Sequence, residues 1–223
     1  MQARLPEHYP VLPVPLITGL LPIITVHLTY LVSAWEGYVP WCFVYIDSCA
    51  SISATGRHGT AFYLFKGLMI PAAFCLMLYW RLTHRWLLGL GEQSQGVRRA
   101  IICIGIIGAV ALILYTLALG AGTEYLRIQR RIGVIIYFTF TFLAQLLLSW
   151  RLGLLLKNDS TRRWQLTLCY GVLGIGISTL FLDILLPNYE DYEDAFEWIM
   201  ALGIHCYFLV TWRTGRGRSK VPE

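Results

Sequence analysis

Charge is scarce in this chain: Asp, Glu, Lys and Arg make up 14% of its 223 residues, while 57% are hydrophobic. Mean hydropathy is +0.58. That leaves too little polar surface to coat a soluble globule of this size. The net charge of +5 does not point to nucleic acid, because the basic residues fall in short clusters between apolar runs and form no patch on a polar domain.

Motifs of soluble catalysis are also absent. No cysteine pair has CxxC spacing, no histidine pair has HExxH or HxxxH spacing, and there is no GxSxG, P-loop or dinucleotide glycine motif. No cofactor or metal is expected. No repeat of 20–50 residues is visible, which argues against an inverted-repeat transporter.

What is present is a set of six long apolar runs, at roughly 13–34, 61–81, 100–120, 132–152, 164–186 and 195–213. Each is long enough to cross a hydrocarbon core, which needs about 20 helical residues. The predicted architecture is all-α, one six-helix membrane domain over 1–223. Val32-Ser33-Ala34 loosely resembles a signal-peptide cleavage site, but the first run is long, is interrupted by Pro13, Pro15 and Pro22, and has only Arg4 before it, so it reads as a span. With the N-terminus cytosolic, that side carries thirteen of the 18 Lys and Arg residues and the other side five, which predicts both termini cytosolic. The tail RTGRGRSK fits topology-setting beside anionic lipid. Pro22 and Pro71 predict bends in their helices, and Gly105, Ala109, Gly171, Gly174, Gly176 and Ser178 predict close helix packing.

The loop Tyr45 to Lys66, YIDSCASISATGRHGTAFYLFK, is the most polar between spans. It lies on the predicted extracytosolic side. Cys42 and Cys49 share the first loop between spans, either bonded in an oxidising compartment or as two free thiols; Cys75, Cys103, Cys169 and Cys206 fall inside apolar runs as small hydrophobes.

Ionisable residues collect on the same side: Glu36, Asp47, His58, Lys66, Glu124, Arg127, Arg130, Arg131, Asp183 and Glu197, with an acidic loop holding Glu190, Asp191, Glu193 and Asp194. Charges beside apolar helices are costly and persist where they face a packed interior or a watery cavity. Asp183, four residues before Pro187, and Glu197, at the start of the sixth run, would either serve a lipid headgroup or acid/base chemistry or pair with Lys66, Arg127, Arg130 or Arg131. His27 and His205 lie deeper in their spans and read as hydrogen-bonded interior histidines.

Three motifs carry a resemblance. Ile52-Ser53-Ala54-Thr55-Gly56 leads into the second span, Glu197-Trp198 lies in AFEWIMALGIHCYFLVTW, and Gly133-Val134-Ile135-Ile136-Tyr137-Phe138 opens the fourth. In this order they resemble the damage-regulated autophagy modulator (DRAM) family and the related CWH-type N-terminal domains of six-span membrane proteins. The resemblance implies six spans and dealings with lipid, since relatives include lysosomal autophagy modulators, GPI-anchor lipid-remodelling factors and helpers of phosphoinositide kinase assemblies. Relatives commonly follow the TG with Pro-Glu, where this chain has Gly59-Thr60, and carry a histidine before the fourth-helix glycine, where it has Gln129-Arg130-Arg131.

The expected function is therefore lipid binding or organisation at the extracytosolic leaflet, with Asp47, Ser53, Thr55, Gly56, His58, Lys66, Arg130, Arg131, Asp183 and Glu197 as the predicted lipid-contacting set. The alternatives are an intramembrane lipid-modifying enzyme, with Asp183, Glu197 or His58 as catalytic candidates, and a scaffold that meets a protein partner through its cytosolic loops. Membrane lipids are the expected partners. The short loops suit a bacterial inner membrane as well as a eukaryotic endomembrane or plasma membrane.

Overall fold

A computed structural model describes residues 13–120, 122–156, 160–186 and 190–217; the side chains of 160–162, 190–191 and 214–217 lie outside the described set. Arg4, Lys157, Arg162, Pro187, Glu190, Asp191, Arg216, Arg218 and Lys220, on which parts of the sequence reading rest, thus fall wholly or partly outside it.

The described residues form seven helices and no strand: α1 Pro13–Trp35, α2 Ile52–Thr55, α3 Gly59–Gly89, α4 Gln95–Ala118, α5 Glu124–Leu155, α6 Ser160–Leu185 and α7 Glu190–Gly217. All but the one-turn α2 are long and apolar enough to cross a membrane, which makes six. They match the six apolar runs, and α3 and α5 run several residues further. Both α1 and α3 continue through Pro22 and Pro71 as single helices.

In α1 the usual polarity of a soluble helix is inverted. Its buried face carries Thr18, Thr25, Thr29 and Ser33, whereas Ile17, Leu20, Ile24, Leu28, Leu31 and Trp35 are exposed. Hydrocarbon favours this arrangement: apolar side chains cost nothing against lipid, and the three threonine hydroxyls bond within the helix or across to a neighbour, while Ser33 Oγ is buried without a partner. Thr25 donates to Leu21 O (2.7 Å), Thr18 to Cys75 O of α3 (3.3 Å), and Thr29 meets Thr55 of α2 (3.3 Å).

The main packing surfaces are α4 on α5, α1 on α3, α3 on α4, α6 on α7 and α1 on α7. Aromatic rings fill the centre, with Tyr79, Trp80, Tyr207 and Phe208 buried in edge-to-face contacts. Helix α6 stands apart: only 6% of its apolar window is buried, against 33–44% in the other five spans. Its small residues do not pack as the sequence predicts. A Cβ at Gly171 or Gly174 would meet nothing within 4 Å, whereas one at Gly105 would run into Trp80 of α3. Because α6 leans on α7 and touches α5 less, an opening remains between α5 and α6.

Candidate functional site

The polar loop does not float above the bundle; it folds back into its end. Cys42 and Cys49 are disulfide-bonded. The Tyr30 hydroxyl donates to Cys42 O and accepts from Cys42 N, both at 2.8 Å. Tyr45 donates its hydroxyl to His27 Nε2 (2.9 Å), because His27 Nδ1 must carry the proton that bonds Ile23 O (2.7 Å). Burial, and then neighbouring Cys206, push the Tyr45 phenol above its usual pKa, so it stays a neutral donor. These partners lie five to eight residues inside the end of α1, about 8–12 Å along the axis at 1.5 Å per residue. Irregular backbone at such depth must find its hydrogen bonds within the protein.

The ISATG stretch is one helical turn, α2, capped by Ser51 Oγ, which accepts from Ala54 N (3.1 Å). Thr55 is fully buried and donates to Ile52 O (2.8 Å). Gly56 follows because nothing larger fits: a Cβ there would sit 2.7 Å from the Phe65 ring and 2.9 Å from Leu119. Gly59 has φ +57°, and a Cβ on it would strike the Glu36 carboxylate. That carboxylate instead accepts from Thr60 N (3.0 Å) and so caps α3, for which His58 supplies no side-chain bond.

Three residues in the first turns of α7 hold this loop. Ser48 Oγ accepts from Ala195 N (3.1 Å), the buried Trp198 indole donates to Ala50 O (2.9 Å), and Glu197 Oε2 accepts from Ile52 N (3.3 Å). Trp198 also meets the rings of His27, Tyr30 and Tyr45 edge-on. The Glu-Trp pair is therefore a clamp that grips two backbone groups of one loop.

Glu197 faces two ways. The charges of Asp194, Glu193 and Arg57 act on it, and on its inner side its own reaches the Tyr115 hydroxyl, as do those of Arg130 and Arg57. That hydroxyl and Arg57 Nε are buried without a hydrogen-bond partner, while Arg57 Nη2 donates to Ser53 Oγ (2.9 Å). Deeper still, Tyr137 donates to His205 Nε2 (2.9 Å), and His205 Nδ1–H bonds Ala201 O (2.6 Å). Both ring nitrogens of His27 and His205 are thus used in hydrogen bonds.

On its outer side Glu197 lines a groove of about 540 Å³ between α5, α6 and α7. Phe138 and Phe142 of α5, Leu173 and Leu180 of α6, and Met200 and Ile204 of α7 form its walls, with Glu193 and Glu197 at the loop end. The α7 wall from Glu193 to Ile204 spans eleven residue steps, about 16 Å. That is close to half of a hydrocarbon core about 30 Å thick. The volume falls within the roughly 300–1,000 Å³ common for small-molecule sites.

The structure disperses several of the residues grouped by the sequence. Lys66 Nζ donates to Leu117 O (3.2 Å), capping the end of α4, and rests over Phe62. Asp47 closes a turn by accepting from Phe43 N (2.6 Å). His58 is exposed and stacked on Tyr38. Arg131 is exposed, Arg127 pairs with Glu124, and Asp183 is exposed on α6 with no hydrogen bond or ion pair to Glu197 among the described residues. Glu197 bonds the backbone of the turn that holds Ser53, Thr55 and Gly56, and the charges of Glu197 and Arg130 both act on the Tyr115 hydroxyl. Sequence reasoning missed Arg57, Tyr115 and the grip of Trp198. The available signal was helical spacing, since Glu197, Ala201 and His205 recur every four residues on one face of α7.

A family model described as Frag1/DRAM/Sfk1/Cwh43P N-terminal domain matches residues 10–213. No curated protein and no solved structure matches.

Proposed function

This chain belongs to the Frag1/DRAM/Sfk1/Cwh43P N-terminal domain family, and from that premise we propose that it is a multi-pass membrane protein that holds a lipid of the extracytosolic leaflet between α5, α6 and α7. The observation that carries this reading is the groove. Its walls are mostly apolar over a length matching one leaflet, with Thr139 and Thr179 the hydroxyls among them; it opens where α6 leaves α5, and its two charged residues, Glu193 and Glu197, stand at the loop end. An acyl chain satisfies such walls, and the headgroup then lies beside Glu193 and Glu197. The disulfide, the Tyr30 bonds and the α7 clamp support the reading by fixing the loop that carries Ile52 against Glu197, so the polar end is pre-organised. The basic bias toward the opposite side supports the orientation.

The test is lipid retention. Gly176 lines the groove, and a Cβ there would have only Met200 Sδ nearby, at 4.0 Å, so Gly176→Leu fills the groove without forcing the helices apart. Native mass spectrometry of protein released from lipid nanodiscs is expected to find a bound lipid on the wild type and at least a several-fold loss on the variant. Equal retention by the two proteins would refute the groove as a lipid site.

A further inference from the structure

We infer that the groove selects a lipid whose headgroup carries a primary ammonium, and disfavours anionic headgroups; this rests on the groove being a lipid site. Its charged lining consists of Glu193 and Glu197, and no Lys, Arg or His lines it among the described residues. Asp194 adds a third carboxylate within electrostatic reach of Glu197. Among the described residues the cation whose charge acts on Glu197 is Arg57, which comes from the loop side: its Nη2 is tied to Ser53, and the side chain lines a separate open dish with Glu36, Tyr38 and His58.

Glu197 is also under-used as an acceptor. Among the described residues its one hydrogen bond is the 3.3 Å contact from Ile52 N to Oε2. A carboxylate can take several donors, so Oε1 has capacity for an N–H. An ammonium entering at the loop end meets two carboxylates and can donate to Glu197, whereas a phosphate monoanion without an ammonium meets like charge. Rejection of the wrong headgroup is then built from repulsion as much as from attraction. Because the acyl chain occupies the apolar walls in every case, headgroup choice and groove occupancy are separable.

The experiment uses the intact protein in nanodiscs of equal parts phosphatidylethanolamine, phosphatidylcholine and phosphatidylglycerol, with the retained lipid identified by native mass spectrometry. One charge-assisted hydrogen bond is enough for roughly tenfold selection. The wild type is expected to enrich phosphatidylethanolamine over both other lipids by about that factor. The double variant Glu193→Gln, Glu197→Gln keeps an acceptor for Ile52 N, and should still bind lipid but in the proportions of the bilayer. Parity between phosphatidylethanolamine and phosphatidylcholine on the wild type, or a preference that survives in the double variant, would overturn the inference while leaving the groove reading intact. Absence of any retained lipid on the wild type would overturn both.

Discussion

Each end of the bundle holds a glutamate, buried at one end and half-buried at the other, and the two are treated in opposite ways. At the end away from the loop, Glu92 is 3% exposed and saturated. Arg151 grips both of its oxygens at 2.7 Å, Ser94 N donates to it at 2.9 Å, and Arg98 bonds its carbonyl. At the loop end, Glu197 has, among the described residues, one long bond, two carboxylate neighbours and an open groove. A saturated buried charge is a structural tie, whereas an unsaturated one beside a cavity retains capacity for a ligand.

The largest effect is expected at the saturated end. Arg151→Met leaves Glu92 buried without its partner, and breaking a buried pair from one side costs about 3–5 kcal/mol. Thermal unfolding in nanodiscs should show this as a large drop in midpoint. If Arg151→Met unfolds like the wild type, the tie is not structural and the contrast fails.

Next in size is the clamp. Trp198→Ala removes a buried ring and its bond to Ala50 O; large-to-small core changes cost roughly 3–5 kcal/mol for Trp in water-soluble cores. Trp198→Phe keeps most of the packing and isolates the lost hydrogen bond, about 1 kcal/mol. Hydrogen exchange should show faster exchange across the 48–56 loop in both variants, while the region around Glu92 keeps its protection. Uniform loss of protection would instead mean that the two ends are not independent.

Gly56→Ala comes next, since its methyl would meet Phe65 and Leu119; overpacking of this kind costs about 1–3 kcal/mol. The smallest structural effect belongs to His58→Ala, an exposed ring on Tyr38, expected within about 0.5 kcal/mol. A large effect at His58 with none at Gly56 would reverse the assignment of which loop residues are built in.

The saturated end also makes a prediction about pH. Burial raises the cost of ionising Glu92, but the Arg151 hydrogen bonds, the Ser94 amide and the charges of Arg151 and Arg98 outweigh it and hold the carboxyl below its usual pKa. A group whose folded pKa is depressed contributes stability that is present above the unfolded value and lost as pH falls through the folded one. The stability gap between wild type and Glu92→Gln should therefore be flat above about pH 5 and narrow below it. A gap that widens in acid would contradict the tie.

How much of this the sequence discloses differs between the spans and the site. Six helices follow from hydropathy because lipid forces every backbone group into a helix, and the Glu197-Trp198 and ISATG segments stand out by family likeness. Charge counting places residues at one end of the bundle but says nothing of their azimuth. Thus Lys66, Asp47, Arg131 and Asp183 are grouped with Glu197 by the sequence, yet turn to α4, to a local turn or to the exterior. The clamp joins residues 145–148 positions apart, beyond any local pattern. The groove depends on α6 packing loosely, whereas the glycines of α6 by themselves predict the reverse.

The central claim is that an acyl chain lies between α5 and α6, and its most direct test is a photo-activatable p-benzoylphenylalanine at Phe142, on the groove wall far from Glu193 and Glu197. Irradiation in nanodiscs followed by intact-mass analysis is expected to give a one-lipid adduct that disappears when Gly176→Leu is added. Cross-links confined to the protein's own α6 or α7, with no lipid adduct, would mean that the helices close on one another and that the groove holds no lipid.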